Sequence, residues 1–192
     1  MLDLVFDLDG GAIPAAYPFA LWAEIVRHAP LLAENELVGV LPLRATENDN
    51  ELLLPKRAKL VLRLPETLID TTSHLVGSTM QIGSSQLRVG KSRIRPIEPC
   101  STIHAQLVTG ESDEIIFMDE IRTQLKEMQI VAKLICGKRR TLVGDGQAIH
   151  GFSLVIHDLK PEASLQLQYS GLGKARHYGC GIFMPHKIIS GL

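Results

Sequence analysis

Pro96 and Pro99 interrupt the chain at its middle, and a similar order of elements runs on either side of them. A proline cannot donate to a sheet ladder, and it pushes the residue before it toward extended backbone, so the pair reads as a linker. In the first half, Leu2 to Leu8 largely alternates apolar with other side chains and predicts a strand. Pro14 to Ala29 has the helical period, with Phe19, Trp22, Val26 and Ala29 on one face, flanked by Leu21 and Ile25. Strands are predicted over 37–43, 51–54 and 58–64, with a turn at Glu47–Asn50. A short helix over 65–74 follows, then a hairpin of Met80–Ile82 and Leu87–Val89. In the second half, Thr102 to Thr109 predicts a strand. Ser112 is placed to cap a helix whose period is carried by Ile115, Ile116, Met118, Ile121 and Leu125. Arg139–Val143 and Gln147–Ile156 predict strands joined through Gly144-Asp145-Gly146, a tight-turn sequence. A helix over 161–169 and a short strand over 181–184 end the pattern.

Strand, helix, strands, helix, strand, twice over, is the order of an α+β fold of two tandem ferredoxin-like, or RRM-like, domains, 1–95 and 98–192. The halves share element order and no obvious sequence identity; a single mixed α+β domain is the alternative. With 45% hydrophobic and 21% charged residues, the chain has the composition of a soluble globular protein. No apolar run is long enough for a membrane helix, and Met1-Leu2-Asp3 does not begin a secretion signal, so a cytoplasmic protein is expected. Cys100, Cys136 and Cys180 are widely spaced and form no CxxC pair, which argues against a disulfide framework or a zinc site. The net charge of −1 hides a segregation. Residues 1–51 carry nine acidic and two basic side chains, whereas 52–110 carry eight basic and three acidic, a ratio repeated in 130–192. Segregated charge of this kind can present a local basic surface to a polyanion.

Two motifs bear on chemistry. Val5-Phe6-Asp7-Leu8-Asp9-Gly10 looks like the opening of the haloacid-dehalogenase phosphatases, whose first Asp is a phosphoryl-accepting nucleophile. The Thr that normally follows is Gly11 here, and no later Asp-Asp pair exists to hold magnesium. The second motif is the glycine-rich loop 171–181, in which Gly171, Gly173, Gly179 and Gly181 surround Lys174, Arg176 and His177. Glycines admit positive φ and let backbone N–H groups approach a phosphate, to which Lys174 and Arg176 would add charge. The loop has neither the Gly-Lys-Ser/Thr of a Walker loop nor the helix-opening position of a dinucleotide fingerprint.

The form GxGxxxxxGxG near the C-terminus resembles the signature of the repeat-associated RNA-binding superfamily of CRISPR proteins, and the wider match resembles the short variant of its precursor CRISPR RNA endoribonucleases. Lys59–Pro65, Leu87–Gly90 with Arg93–Pro96, Gly151–Leu154 and Gly173–Pro185 carry the likeness in order along essentially the whole chain. The resemblance implies binding of a CRISPR repeat RNA, often a hairpin, and a single cut in which a 2′-hydroxyl attacks the adjacent phosphate. The products would be a 2′,3′-cyclic phosphate and a 5′-hydroxyl. No metal or cofactor is expected, because the nucleophile is already positioned inside the RNA. His28, at the end of the first helix where relatives commonly place a catalytic histidine, is the leading candidate for acid–base work. Tyr17, at the start of that helix, is a candidate for orienting substrate. Arg93, Arg95, Lys138, Arg139 and Arg140 are candidate phosphate contacts, together with the glycine loop. Aromatic residues are 5% of the chain, which favours backbone and shape readout over base stacking. His104 and His177 are the fallback catalytic histidines. Relatives often carry further histidines around the first helix, where this chain has Ala16, Ala33 and Leu41. That difference supports a second reading, a non-catalytic RNA-binding subunit held with other CRISPR proteins in an effector complex.

Overall fold

The computed structural model describes residues 1–48 and 51–186, so part of the turn expected at Glu47–Asn50 lies outside the described residues. The chain divides into two compact units. The first is Met1–Pro96 with Val143–Gln147 and Arg176–Gly179; the second comprises the other described residues.

The first unit contains β1 (Leu2–Asp9), β2 (Ala12–Pro14), α1 (Tyr17–His28), β3 (Gly39–Val40), β4 (Thr46–Asn48), β5 (Glu51–Leu53), β6 (Ala58–Leu64), β7 (Thr79–Ile82) and β8 (Ser85–Arg95). Five of these strands form one antiparallel sheet in the order β3-β6-β1-β8-β7, and β2, β5 and β4 form a smaller one. Alternation places Leu2, Leu4, Phe6 and Leu8 of β1 beside Ala58, Leu60, Leu62 and Leu64 of β6, and Leu21 and Ile25 of α1 join them in one core. Each buried Leu or Ile there contributes roughly 1.5–3 kcal/mol by leaving water.

The opposite face of the same strands is charged, and the register explains how that is tolerated. Asp3 lies opposite both Arg63 and Arg95, Asp7 opposite Lys59, and Asp9 opposite Arg88. A bulge between Phe6 and Leu8 resets the pairing of β1 with β8. Asp3 and Arg63 are almost completely buried, and the guanidinium donates Nε to Oδ1 at 2.7 Å and Nη2 to Oδ2 at 3.1 Å. Arg95 adds a third charge-assisted bond to Oδ2 at 2.8 Å. A buried carboxylate demands such satisfaction. The phosphatase-like reading of Asp7 and Asp9 fails here: β1 lies between antiparallel neighbours rather than in a parallel βαβ unit, and the Asp7 carboxylate is taken by Lys59.

The second unit contains β9 (Ile103–Thr109), α2 (Glu114–Glu127), β10 (Lys133–Gly144), β11 (Gln147–His157), α3 (Pro161–Ser170) and β12 (Met184–Pro185), with sheet order β10-β11-β9-β12. The loop between β10 and β11 is Asp145-Gly146, both at positive φ, as the tight hairpin turn requires. Ile103, Val108, Phe117, Ile121, Phe152, Leu154 and Leu167 form its core. Asp113, not Ser112, caps α2: its carboxylate accepts from the Ile115 and Ile116 amides at 2.9 and 3.1 Å, so the helix starts one residue later than the serine would place it. The strand expected over 37–43 is reduced to Gly39–Val40. The helix expected over 65–74 is two 3₁₀ helices, Glu66–Leu68 and Asp70–Leu75.

Candidate functional site

α1 ends on Arg27 and His28, basic side chains in its last turn, where the negative end of the helix dipole lies. His28 is half-buried, and its Nε2 lies 2.9 Å from Nη2 of Arg27. Arginine has no acceptor, so Nη2 is the donor and Nε2 holds a lone pair; the ring proton is thereby placed on Nδ1. Arg27 is itself clamped. Its Nε donates to Glu24 Oε1 at 3.0 Å and its Nη2 to Glu24 Oε2 at 2.7 Å. Glu24 also accepts the Gln81 amide of β7 at 3.0 Å. These bonds hold the Glu24 carboxyl below its ordinary range, the Arg27 hydrogen bond being the largest cause. Arg27 and Glu24 were absent from the expected site residues. Their spacing of three, which places an acid and a base on one helix face, was the available signal.

Tyr17 opens α1 and is buried, its hydroxyl accepting the Leu43 amide at 2.8 Å. That phenol therefore pins the 41–43 segment to the helix start.

The glycine loop differs from the expectation in how it uses its backbone. In the second unit, the Gly171 amide donates to Leu167 O, Gly173 to Gln124 Oε1, Lys174 to Thr109 Oγ1 and Gly181 to Leu107 O. In the first unit, the Gly179 amide donates to Arg176 O at 3.0 Å. These N–H groups are spent within the protein, so they are not a phosphate cradle. The glycines are required by shape instead: a Cβ on Gly181 would lie 2.0 Å from Leu172 O, and one on Gly173 would lie 2.6 Å from Thr109 Oγ1, both at positive φ. Arg176, expected as an exposed phosphate contact, is turned inward and 7% exposed. Its Nη2 reaches Leu37 O at 3.4 Å, while Nε and Nη1 have no hydrogen-bond partner among the described residues. Burial, with Arg63 nearby, pushes its pKa down to about 10. His177 packs on aromatics, 5.2 Å from Trp22 and 4.1 Å from Tyr178 between ring centroids, and burial lowers its pKa. Among the described residues, no hydrogen bond or ring contact joins it to His28. Lys174 remains exposed, its side chain without an ion pair among the described residues.

The remaining basic candidates fall into two groups. Arg93 and Arg95 lie on the charged face of β8, Arg95 tied to Asp3 and Arg93 exposed near Asp7. Lys138, Arg139 and Arg140 lie on β10, the edge strand of its sheet, all three exposed and without an ion pair among the described residues. The hairpin tip, Val143–Gln147, belongs to the first unit. A Cβ on Gly144 would lie 2.6 Å from Phe19 and 2.9 Å from Ala16 of the α1 region. His104 stacks 5.6 Å from His186 in the second unit, and burial, His186 and Arg140 lower its pKa. Burial pushes the Cys180 thiol up to about 12, so it stays protonated. The described residues contain no cluster of three or more His, Cys, Asp or Glu placed to hold a metal ion.

Two antiparallel α+β units with helices on their sheets, a histidine ending the first helix and a basic edge hairpin define an RRM-like protein with an acid–base group and cationic surfaces. The family described as Cas6 Crispr matches residues 2–188. Over 186 residues the chain is 34% identical to the CRISPR-associated endonuclease Cas6 of Myxococcus xanthus (strain DK1622), covering 96% of this chain and 81% of that protein. Its fold is similar to that of a Cas6-related protein of Pyrococcus furiosus, with a TM-score of 0.70, 15% identity, and 100% of this chain and 99% of that one covered. It is also similar to CRISPR endoribonuclease Cse3 bound to a 19-nucleotide RNA, with a TM-score of 0.53, 10% identity, and 96% and 98% covered. The chain belongs to the Cas6 family, the CRISPR endoribonucleases that process precursor CRISPR RNA.

Proposed function

We propose that this protein binds a CRISPR repeat, folded as a hairpin, and cuts it by metal-independent attack of a 2′-hydroxyl on the adjacent phosphate. The observation that carries the catalytic assignment is the Arg27–His28 contact of 2.9 Å. A ring nitrogen that accepts from arginine is unprotonated, as a general base must be. In the reaction, the 2′-hydroxyl replaces Arg27 as the partner of Nε2 and gives up its proton there. Arg27, still held by Glu24, then directs its guanidinium at a non-bridging phosphate oxygen and stabilises the charge that develops on it. The 2′-oxygen bonds to phosphorus, the bond to the 5′-oxygen breaks, and that oxygen leaves as a hydroxyl on taking a proton from water, whose hydroxide is neutralised by the proton His28 gives up.

Tyr17 is a positioning residue in this scheme, because its hydroxyl is buried on a backbone amide. Lys138, Arg139 and Arg140 supply unpaired charge for the repeat backbone, with Lys174 and Arg93 adding to it. Gly171, Gly173, Gly179 and Gly181 shape the loop that presents Lys174. The two domains, 1–95 and 98–192, divide this work: the cut falls to the first and most of the repeat contacts to the second. No helix among the described residues is long and apolar enough to cross a membrane, which suits a protein working on RNA in the cytoplasm.

The test is incubation of the purified chain with its repeat RNA in EDTA. A single cut leaving a 2′,3′-cyclic phosphate supports the reading. Binding without product would make the chain the non-catalytic subunit of an effector complex with other CRISPR proteins.

A further inference from the structure

A pocket of about 440 Å³ opens on the charged face of the five-stranded sheet, lined by Asp7 and Asp9 of β1, Lys59 of β6, Arg88 of β8, and Lys56 and Arg57 of the turn before β6. Apart from Asp7 and Asp9, of the phosphatase-like motif, none of these residues figured among the expected site residues. Asp7 and Lys59 are an ion pair and cancel one another. Lys56, Arg57 and Arg88 are exposed, and among the described residues none makes a side-chain hydrogen bond or ion pair; the same holds for Asp9. Three unpaired cations therefore face one cavity. Three surface lysines or arginines scattered singly would be ordinary, but three converging on a cavity large enough for a small ligand present a site for an anion. Gly90 also lines the cavity, and a Cβ there would lie 3.0 Å from that of Asp7. Lys91 and Arg93 continue the positive potential along β8, close enough to act on Asp7.

We propose that this pocket is a second RNA subsite, which takes one nucleotide of a single-stranded segment flanking the repeat hairpin. The inference rests on the RNA-binding reading above. The volume admits a nucleotide and not a duplex. Lys56, Arg57 and Arg88 take the phosphate, and the flat guanidinium groups give an unpaired base a surface to stack on where no aromatic side chain lines the cavity. Asp9, an acceptor without a partner, takes the ribose 2′-hydroxyl, the group that separates RNA from DNA. The pocket cannot be part of the cutting site on α1. Asp7, Asp9, Lys59 and Arg88 alternate with Leu8, Leu60 and Leu87, which point into the core that α1 covers. The pocket is thus on the sheet face away from His28, and it anchors RNA without touching the reacting atoms.

The test uses the full chain, wild type and Lys56→Ala/Arg57→Ala/Arg88→Ala, with two RNAs: the repeat with its single-stranded flanks, and the bare hairpin. For the flanked RNA the triple variant is expected to lower the log–log salt slope of binding by about 0.7, the contribution of the one single-strand phosphate the pocket holds. Its affinity for the bare hairpin and its single-turnover cleavage rate at saturating protein are expected to match wild type. Arg57→Glu, a single exposed change, is expected to weaken flanked RNA in the same selective way. Equal losses on both RNAs, or an unchanged slope on the flanked one, would overturn the subsite while leaving the RNA-binding reading intact. A wild type that binds neither RNA would overturn both. Retained RNA binding with selective loss of an acidic peptide in the triple variant would reassign the pocket to a protein partner and equally overturn the proposal.

Discussion

His28 sits where a helix dipole, a clamped arginine and partial exposure meet, and each of these can be removed separately. His28→Ala leaves the core intact, because the ring is half-buried and lies outside the apolar cluster. It is expected to slow single-turnover cleavage by roughly 10²–10⁴-fold while repeat affinity changes little. Arg27→Ala removes a donor to developing charge and is expected to cost about 10²-fold, with Arg27→Lys recovering part of it by restoring the cation. Glu24→Gln is expected to fall between, since it keeps the shape of the clamp and loses its charge. Equal rates for wild type and Arg27→Ala would remove arginine from the mechanism. That His28 ends a helix was legible in the sequence from the apolar period before it, whereas its catalytic role is suggested by the family resemblance. The burial of Arg176 was not legible, because a basic residue among glycines reads as exposed, and only tertiary packing turns its guanidinium inward.

At the level of elements, the charged face of β1, β6 and β8 combines stability with function. Asp3 joins three strands through Arg63 and Arg95, two of the three groups buried. Asp3→Ala takes a carboxylate from the buried Arg63 guanidinium and is expected to destabilise the protein by about 3–5 kcal/mol in chemical denaturation. An exposed control such as Asp119→Ala, which loses only a surface pair with Arg122, is expected to change stability by less than about 1 kcal/mol. A small effect at Asp3 would mean that the buried pair contributes little. The same face shows why element prediction succeeded where it did. Apolar alternation marked β1 and β6, and helical periodicity marked α1 and α2. The last residues of β8, Lys91 to Arg95, and the first of β10 carry charge or lie exposed, so no hydrophobic period announced them; pairing with β1 and β11 makes them strands. In the opposite direction, Val38, Val40, Leu41 and Leu43 are buried as an apolar run should be, yet after the Leu41 amide donates to Val61 O, Pro42 has no N–H to continue the ladder. The pocket around Arg88 was invisible for a related reason: its residues come from three strands and a turn, and only the register brings them together.

For the whole molecule, acid should weaken the fold through its half-buried histidines. Burial lowers the pKa of His104 and His177 below the ordinary value of 6.5, so the folded chain binds these protons less readily than the unfolded one. Their neutral forms support the fold fully above pH 6.5, and that support is lost as pH falls from 6.5 through the lowered folded values. Urea midpoints are expected to decline over that window, and to decline less steeply in His104→Gln/His177→Gln; parallel curves would remove both histidines from the effect. RNA binding tests the charge distribution at the same scale. Replacing Lys138, Arg139 and Arg140 together by Ala is expected to lower the log–log salt slope for the repeat hairpin by roughly 2–3, and an unchanged slope would take the β10 edge out of the interface. The central claim, cleavage by an RNA hydroxyl with His28 as base, meets its most direct test in one gel. Wild type and His28→Ala are mixed in excess with repeat RNA, or with the same RNA carrying a single 2′-deoxy at the cut, all in EDTA. The account predicts a 2′,3′-cyclic phosphate product from wild type on the all-ribose RNA, none on the deoxy RNA, and a rate for His28→Ala lower by at least about 10²-fold. Cutting of the deoxy RNA, or wild-type speed from His28→Ala, would contradict it.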